Sequence, residues 1–210
     1  MALFPRPIVL IPILAAVLAS VGVFAAGGMA QEYQVHLQRE NRARFVSDAP
    51  LEDFQGVTDR IDGFLYLAGE GLSSSSDLEE SEFYFEVDLA SLDTGIGLRN
   101  RHMRRNYLET DAHPFASYSG RVTRLEEVVE GGGFRASLSG VFTVHGVERE
   151  REIECTARPD RGDLHVQCGF QVSLPDHDIP IPKLMFMKID EVMEVEVDFF
   201  LTPTGTDHRR

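Results

Sequence analysis

The stretch REIECTARPDRGDLHVQCGFQV, residues 151–172, contains two runs of alternating apolar and polar residues around the turn sequence PDRGD. If Arg161 and Gly162 form a two-residue loop, the runs pair as an antiparallel hairpin. Inward positions then face each other across the hairpin: Ile153 faces Phe170, Cys155 faces Cys168 and Ala157 faces Val166, while Asp160 faces Asp163 at the turn. Since every inward pair is apolar, the register is self-consistent.

Cys155 and Cys168 are the two cysteines of the chain. Directly opposed residues of an antiparallel pair have Cα atoms close enough for a disulfide, which stabilises a loop of this length by about 3 kcal/mol. The alternatives are two reduced thiols in the core, or a three-residue loop from Asp160 to Gly162 that shifts the pairing. We predict the disulfide, and we assign neither cysteine a catalytic role because both belong to the face predicted to be buried.

Period-two alternation dominates the rest of the chain. Strong strand patterns cover residues 83–89, 134–144, 164–174 and 193–201, and weaker ones cover 33–37, 42–46, 60–68 and 115–124. Polar outer faces predict antiparallel pairing. About eight strands without alternating helices predict an all-β fold, a barrel or a sandwich.

The N-terminal segment has the layout of a secretory signal. One early arginine, Arg6, precedes an apolar run from Ile8 to Ala26, and small residues follow. We predict a signal peptide over residues 1–30 and one domain over residues 31–210, in the periplasm or secreted. The alternative is an uncleaved membrane anchor. The formal charge of −14 argues against nucleic acid and against broad binding to anionic membranes as partners.

Positive charge is concentrated in one place in this acidic chain. Arg99, Arg101, Arg104 and Arg105 lie within seven positions. Residues from about Leu98 to Leu108 lack period-two alternation and contain neither Pro nor Gly, so they predict a short helix between strands. Such a helix can lie across an open end of a barrel.

Three segments carry a resemblance to a known family. VDLASLDTGIGLRNRHMRRNYLETDAHPFASYSG (87–120), LSGVFTVHGVEREREIECTA (138–157) and GFQVSLPDHDI (169–179) resemble, in order and spacing, the YceI-like family. The match extends from about residue 32 to residue 203. The resemblance implies an exported, lipocalin-like antiparallel β-barrel of about eight strands that binds polyisoprenoid lipids. The chain departs from the family pattern in three places. Asn100 replaces Asp; Leu174, His177 and Asp178 replace Arg, an aromatic residue and Gly; and the family's early His-Ser is not evident in VHLQRENRARF (35–45).

The resemblance makes ligand binding the favoured interpretation of the inward side chains, which otherwise suit a plain core. It implies an isoprenoid lipid, either a polyprenyl phosphate or an isoprenoid quinone. We predict that its tail is lined by Phe83, Phe85, Phe134, Gly140, Phe142, Phe170, Met193 and Phe199. Arg99, on the family's Arg position, and His102 one turn later are predicted to contact the headgroup, since the guanidinium suits phosphate.

Other chemistry is not supported by the sequence. Asp176, His177 and Asp178 are adjacent in a loop and do not converge on one metal ion without distant partners, so a solvated turn is favoured. No phosphate-cradling glycine loop, dinucleotide fingerprint or nucleophile elbow is present. We therefore predict no enzyme activity, cofactor or metal. The alternative function is a stress-related structural or interaction protein with a filled barrel, and nothing in the sequence excludes a homodimer.

Overall fold

The computed structural model describes residues 30–47, 54–69, 71–73, 76–128, 132–181, 183–184, 187–188 and 190–206. The predicted signal peptide, apart from Ala30, lies outside the described residues and stays a prediction. Within the described part, no helix has both the length and the apolar character needed to cross a membrane.

Twelve strands account for most of the described chain. They are β1 (Ala30–Val35), β2 (Arg42–Ser47), β3 (Phe54–Thr58), β4 (Ile61–Ala68), β5 (Asp77–Asp88), β6 (Phe115–Glu127), β7 (Phe134–Val144), β8 (Val147–Asp160), β9 (Asp163–Ser173), β10 (Lys183–Leu184), β11 (Met187–Lys188) and β12 (Val192–Thr206). The single α-helix among the described residues is α1 (Gly97–His102), which continues into a π-helical turn, Met103–Tyr107. Short 3-10 turns cover Leu89–Ser91 and Pro175–His177.

Eight strands close an antiparallel barrel. Their order is β1, β4, β5, β6, β7, β8, β9 and β12, and β12 pairs back with β1. The first half of β12 also pairs with β2, which pairs with β3. β1 and β2 therefore pair with successive parts of the same side of β12. The all-β barrel prediction is confirmed, and the inward faces of the strands form one hydrophobic core.

The predicted hairpin is present with the predicted register near its turn. Cys155 pairs with Cys168, Ala157 with Val166, and Asp160 with Asp163. The predicted disulfide joins Cys155 and Cys168, whose Cα atoms lie 4.3 Å apart. The disulfide therefore crosslinks the β8–β9 hairpin at the end of its backbone pairing.

The predicted pair of Ile153 with Phe170 is not part of this ladder, which runs from the cysteines to the turn. The first half of β8 instead pairs with β7 alone. The Arg151 guanidinium lies 5.6 Å from the centre of the Phe170 ring, on the inward side that alternation gives to Ile153. The bulky side chains of Arg151 and Phe170 thus lie where β8 and β9 are no longer paired.

Gly140 permits close approach of two strands. It pairs with Gly120 across β6 and β7. A Cβ atom at Gly140 would clash with the Ser119 carbonyl oxygen and lie 2.8 Å from Gly120 Cα, both backbone atoms that cannot move aside. A side chain there would therefore push the strands apart.

We expect Gly140→Ala to lower the free energy of unfolding by about 1–3 kcal/mol, because the added methyl overpacks the strand pair. The matched control is Gly169→Ala in β9, where an added Cβ meets nothing within 4 Å. The control should be neutral or slightly stabilising. Urea denaturation of both variants measures the difference, and equal midpoints would contradict this role of Gly140.

Candidate functional site

A cavity of about 590 Å³ lies inside the barrel. This volume falls within the range of about 300–1,000 Å³ that is typical of small-molecule sites. The walls are mainly aliphatic and aromatic side chains from the inward faces of the strands. A lining of this kind offers van der Waals contact and exclusion of water, which suits a long apolar molecule.

Five of the eight residues predicted to line a lipid tail line this cavity: Phe85, Phe142, Phe170, Met193 and Phe199. The aromatic members pack edge to face. The ring centres of Phe85 and Phe199 are 5.0 Å apart, and those of Phe142 and Phe170 are 5.5 Å apart. These contacts hold the rings in defined orientations around the space.

Phe83, Phe134 and Gly140 are not among the residues that line the cavity. Phe83 is 1% exposed and packs on Tyr118 with ring centres 4.9 Å apart, so it belongs to the filled part of the core. Phe134 starts β7 at the end opposite the helix, and Gly140 has no side chain to present. Alternation assigned these three residues to the inward face, but it could not tell core from cavity wall.

The connection between β5 and β6 lies across one end of the barrel. We call residues 96–113 the covering segment. The cavity is lined by its apolar residues Ile96, Leu98, Met103, Tyr107 and Leu108. The prediction of a helix here is confirmed for α1, but the apolar contribution was missed. A signal in the sequence was the spacing of residues 103 and 107, which lie about one helical turn apart.

Arg99 and His102, the predicted headgroup residues, also line the cavity. Arg99 donates from Nε to Thr94 Oγ1 at 2.9 Å and from Nη2 to the Thr94 carbonyl at 2.5 Å. Arg99 therefore holds the turn before α1 as well as facing the cavity. His102 is exposed at the edge of the same space.

Asn100 completes the turn that Arg99 holds. Its Oδ1 accepts from Thr94 N at 2.8 Å and from Thr94 Oγ1 at 2.7 Å, and its Nδ2 donates to Asp93 Oδ1 at 2.6 Å. The Asn100 amide, aided by the Gly95 N–H, lowers the pKa of the Asp93 carboxyl. An aspartate at position 100 could not make the donation to Asp93, so the departure from the family pattern matches the local hydrogen bonding.

The remaining arginines of the cluster point in different directions. Arg104 donates from Nη2 to the Leu92 carbonyl at 2.9 Å and is half-buried. Arg101 and Arg105 are exposed. Arg99 and Arg104 therefore support the covering segment, whereas Arg101 and Arg105 contribute surface charge.

The turn after β9 closes the same end of the barrel and explains the other departures. Leu174 lines the cavity. Asp178, at the family's glycine position, adopts φ 55°, a left-handed conformation that Asp tolerates better than most residues. His177, at the family's aromatic position, packs edge-on against Phe142 with ring centres 5.5 Å apart.

His177 is 1% exposed, so the prediction of a solvated turn is wrong at this residue. Its Nδ1 lies 3.1 Å from the Val147 carbonyl, which can only accept, so Nδ1 carries the proton. Burial lowers the pKa of His177, and the positive charges of Arg149 and Arg151 act in the same direction. The neutral ring links the turn to the part of β8 that β9 leaves unpaired.

Comparison with known proteins identifies one family and several solved structures that share the fold. The family model described as YceI-like domain matches residues 35–201. A polyisoprenoid binding domain from Saccharophagus degradans, implicated in plant cell wall breakdown, superposes with a TM-score of 0.60 at 18% identity, covering 82% of this chain and 98% of that one. BcnA of Burkholderia cenocepacia superposes with a TM-score of 0.58 at 13% identity, covering 80% and 98%. No curated protein matches by sequence.

We expect the protein to lose stability as the pH falls below about 6.5. The native state holds His177 neutral because burial lowers its pKa below the ordinary histidine value of about 6.5, whereas the unfolded state takes up a proton near that value. Stabilisation is thus fully present above the unfolded pKa and is lost as the pH falls from that value through the lower folded pKa. Thermal unfolding at pH 7.5 and 5.5 should show a smaller difference in His177→Phe than in the wild type, and an unchanged difference would assign the effect elsewhere.

Proposed function

Because this chain belongs to the YceI-like family, we propose that it is an exported binding protein that holds a long-chain isoprenoid lipid inside its barrel. The observation that carries the proposal is the cavity of about 590 Å³, lined by apolar strand faces and the covering segment. A filled barrel acting through its surface would leave no such space. The polyisoprenoid binding domain from Saccharophagus degradans shares the fold and supports this choice of ligand class.

The proposal assigns binding rather than catalysis to the cavity. Tyr118 lines the cavity. Its hydroxyl lies 2.7 Å from the Leu138 carbonyl oxygen and 3.1 Å from the Arg151 carbonyl oxygen, so its one proton is shared between these two acceptors. Burial, with the Glu152 charge, raises the pKa of Tyr118 to about 12. The phenol therefore stays protonated and engaged near neutral pH, as a structural group would.

Export to the periplasm or outside the cell is part of the proposal. The Cys155–Cys168 disulfide is the kind of bond that persists in oxidising compartments. The signal-like sequence over residues 1–30 supports the same location. A reducing cytosol would keep these thiols unpaired.

The headgroup is proposed to rest at the covering segment. Arg99 and His102 bring polar groups to a lining that is otherwise mainly apolar, so an amphiphile can bury its tail among the strands and place its head there. A polyprenyl phosphate would gain charge-assisted hydrogen bonds from these side chains. An isoprenoid quinone would gain little from the charge, which makes the two lipid classes separable by experiment.

The first experiment asks whether the cavity holds lipid. We expect native mass spectrometry and organic extraction of protein purified from its own host to show one long-chain isoprenoid per chain. Ala136→Phe places a ring into the cavity from β7 and should reduce bound lipid several-fold. Ser139→Phe, which adds the same ring on the exposed face of β7, is the matched control.

Absence of lipid from the wild-type protein, with failure to bind added polyprenol, would reject the proposal in favour of the filled-barrel alternative. Undiminished lipid in folded Ala136→Phe would place the ligand away from this wall.

The second experiment tests the headgroup contacts. We expect His102→Gln and Arg99→Gln to weaken binding of a polyprenyl phosphate about tenfold while leaving the uncharged polyprenol unchanged, because a charge-assisted hydrogen bond contributes about 1.5–3 kcal/mol. Arg101→Gln, an exposed neighbour on α1, is the control. Because Arg99 also holds Thr94, a loss that is equal for both lipids would indicate a disturbed turn instead of a lost headgroup contact.

A further inference from the structure

Three side chains capable of binding metal meet where the covering segment returns to the barrel. Glu109 and His113 come from the end of that segment, and His145 comes from the turn between β7 and β8. One ligand atom from each lies within 4.8 Å of the others. His145 Nε2 is 3.9 Å from Glu109 Oε2, and the rings of His113 and His145 are 5.1 Å apart.

The backbone brings these groups together through unusual conformations. Glu109 has φ 45° and His145 has φ 55°, both in the left-handed region. Gly146 has φ 73°, and a Cβ atom there would lie 2.6 Å from His113 Cε1. A glycine at this position therefore lets the His113 imidazole approach the turn that carries His145.

The hydrogen bonding of His145 leaves one ring nitrogen directed at the cluster. Its Nδ1 lies 3.1 Å from the His177 carbonyl, which can only accept, so Nδ1 carries a proton. In the neutral ring Nε2 then has a lone pair. Nε2 is buried and has no hydrogen-bond partner among the described residues. Histidines that bind metals typically donate their other ring N–H to a carbonyl or carboxylate in this way.

A lone pair on Nε2 facing the Glu109 carboxylate is unfavourable unless a positive charge lies between them. Either a proton on the ring or a metal ion can supply that charge. The second imidazole, His113, distinguishes the two cases, because two imidazoles and one carboxylate form a donor set that zinc prefers. Glu109 is about half exposed, so its side chain has the freedom to close onto an ion.

We propose that Glu109, His113 and His145 form a divalent-metal site of the zinc class, distinct from the lipid cavity. Three protein ligands leave a fourth position for water or another small ligand. No metal motif is visible in the sequence because the ligands of this site come from two segments more than thirty residues apart. The site would also fasten the covering segment, since Leu108 and Val144, the neighbours of Glu109 and His145, both line the cavity.

The test is calorimetric titration of untagged, chelator-treated protein with zinc chloride. We expect one saturable site per chain, and a weakening of at least about tenfold in Glu109→Gln and in His113→Gln, each of which removes one ligand. His165→Gln is the control, because His165 pairs with Asp198 at 2.6 Å near the opposite end of β8 and β9. Circular dichroism checks that each variant is folded.

The visible absorption spectrum of the protein with bound Co²⁺ reports metal coordination independently of the calorimetric titration. Absence of saturable binding to the wild type, or equal binding by the wild type and both ligand variants, would overturn the metal site. An equal loss in His165→Gln would assign the binding to surface histidines in general. Hydrogen exchange tests the fastening role: slower exchange of residues 96–113 with zinc supports it, and unchanged exchange rejects it.

Discussion

Closure of the β-sheet is the constraint on which the rest of the molecule depends. Once β12 pairs with β1, the barrel strands have neighbours on both sides, and all inward side chains face one enclosed volume. Eight strands enclose a space just wide enough to be filled by side chains or to hold one ligand. The balance between these outcomes depends on side-chain size, and here a cavity of about 590 Å³ remains.

Between β8 and β9 the backbone ladder covers only the residues from the cysteines to the turn, and the rest of both strands lies toward the end that the covering segment occupies. The disulfide fixes the hairpin where its ladder ends. Beyond that point Arg151 of β8 lies over the Phe170 ring of β9, and His177, in the turn after β9, contacts the Val147 carbonyl of β8. Arg151 lies near the rings of Phe142 and Phe170, two cavity residues. Side-chain contacts thus link β8 to β9 and its following turn where the backbone ladder is absent.

The covering segment is held by local polar contacts rather than by strand pairing. Thr94, Arg99 and Asn100 form one hydrogen-bonded turn at its start, and Glu109 and His113 lie at its end. Charged and polar groups at both ends leave the apolar residues between them to face the cavity. This arrangement accounts for a cluster of arginines in an acidic chain, since Arg99 and Arg104 support the segment while Arg101 and Arg105 remain at the surface.

The sequence by itself determined the eight barrel strands, the antiparallel class and the register near the β8–β9 turn, because alternation with period two and a short turn are local properties. It did not indicate β3, β10 or β11. It also determined the disulfide, since opposed cysteines follow from that register. Only the tertiary structure decided which inward residues face a cavity: Phe85 and Phe199 do, whereas Phe83 is packed into the core. The grouping of Glu109, His113 and His145 likewise arose only on folding, because distances between segments that are remote in sequence depend on how the barrel closes and not on any local pattern.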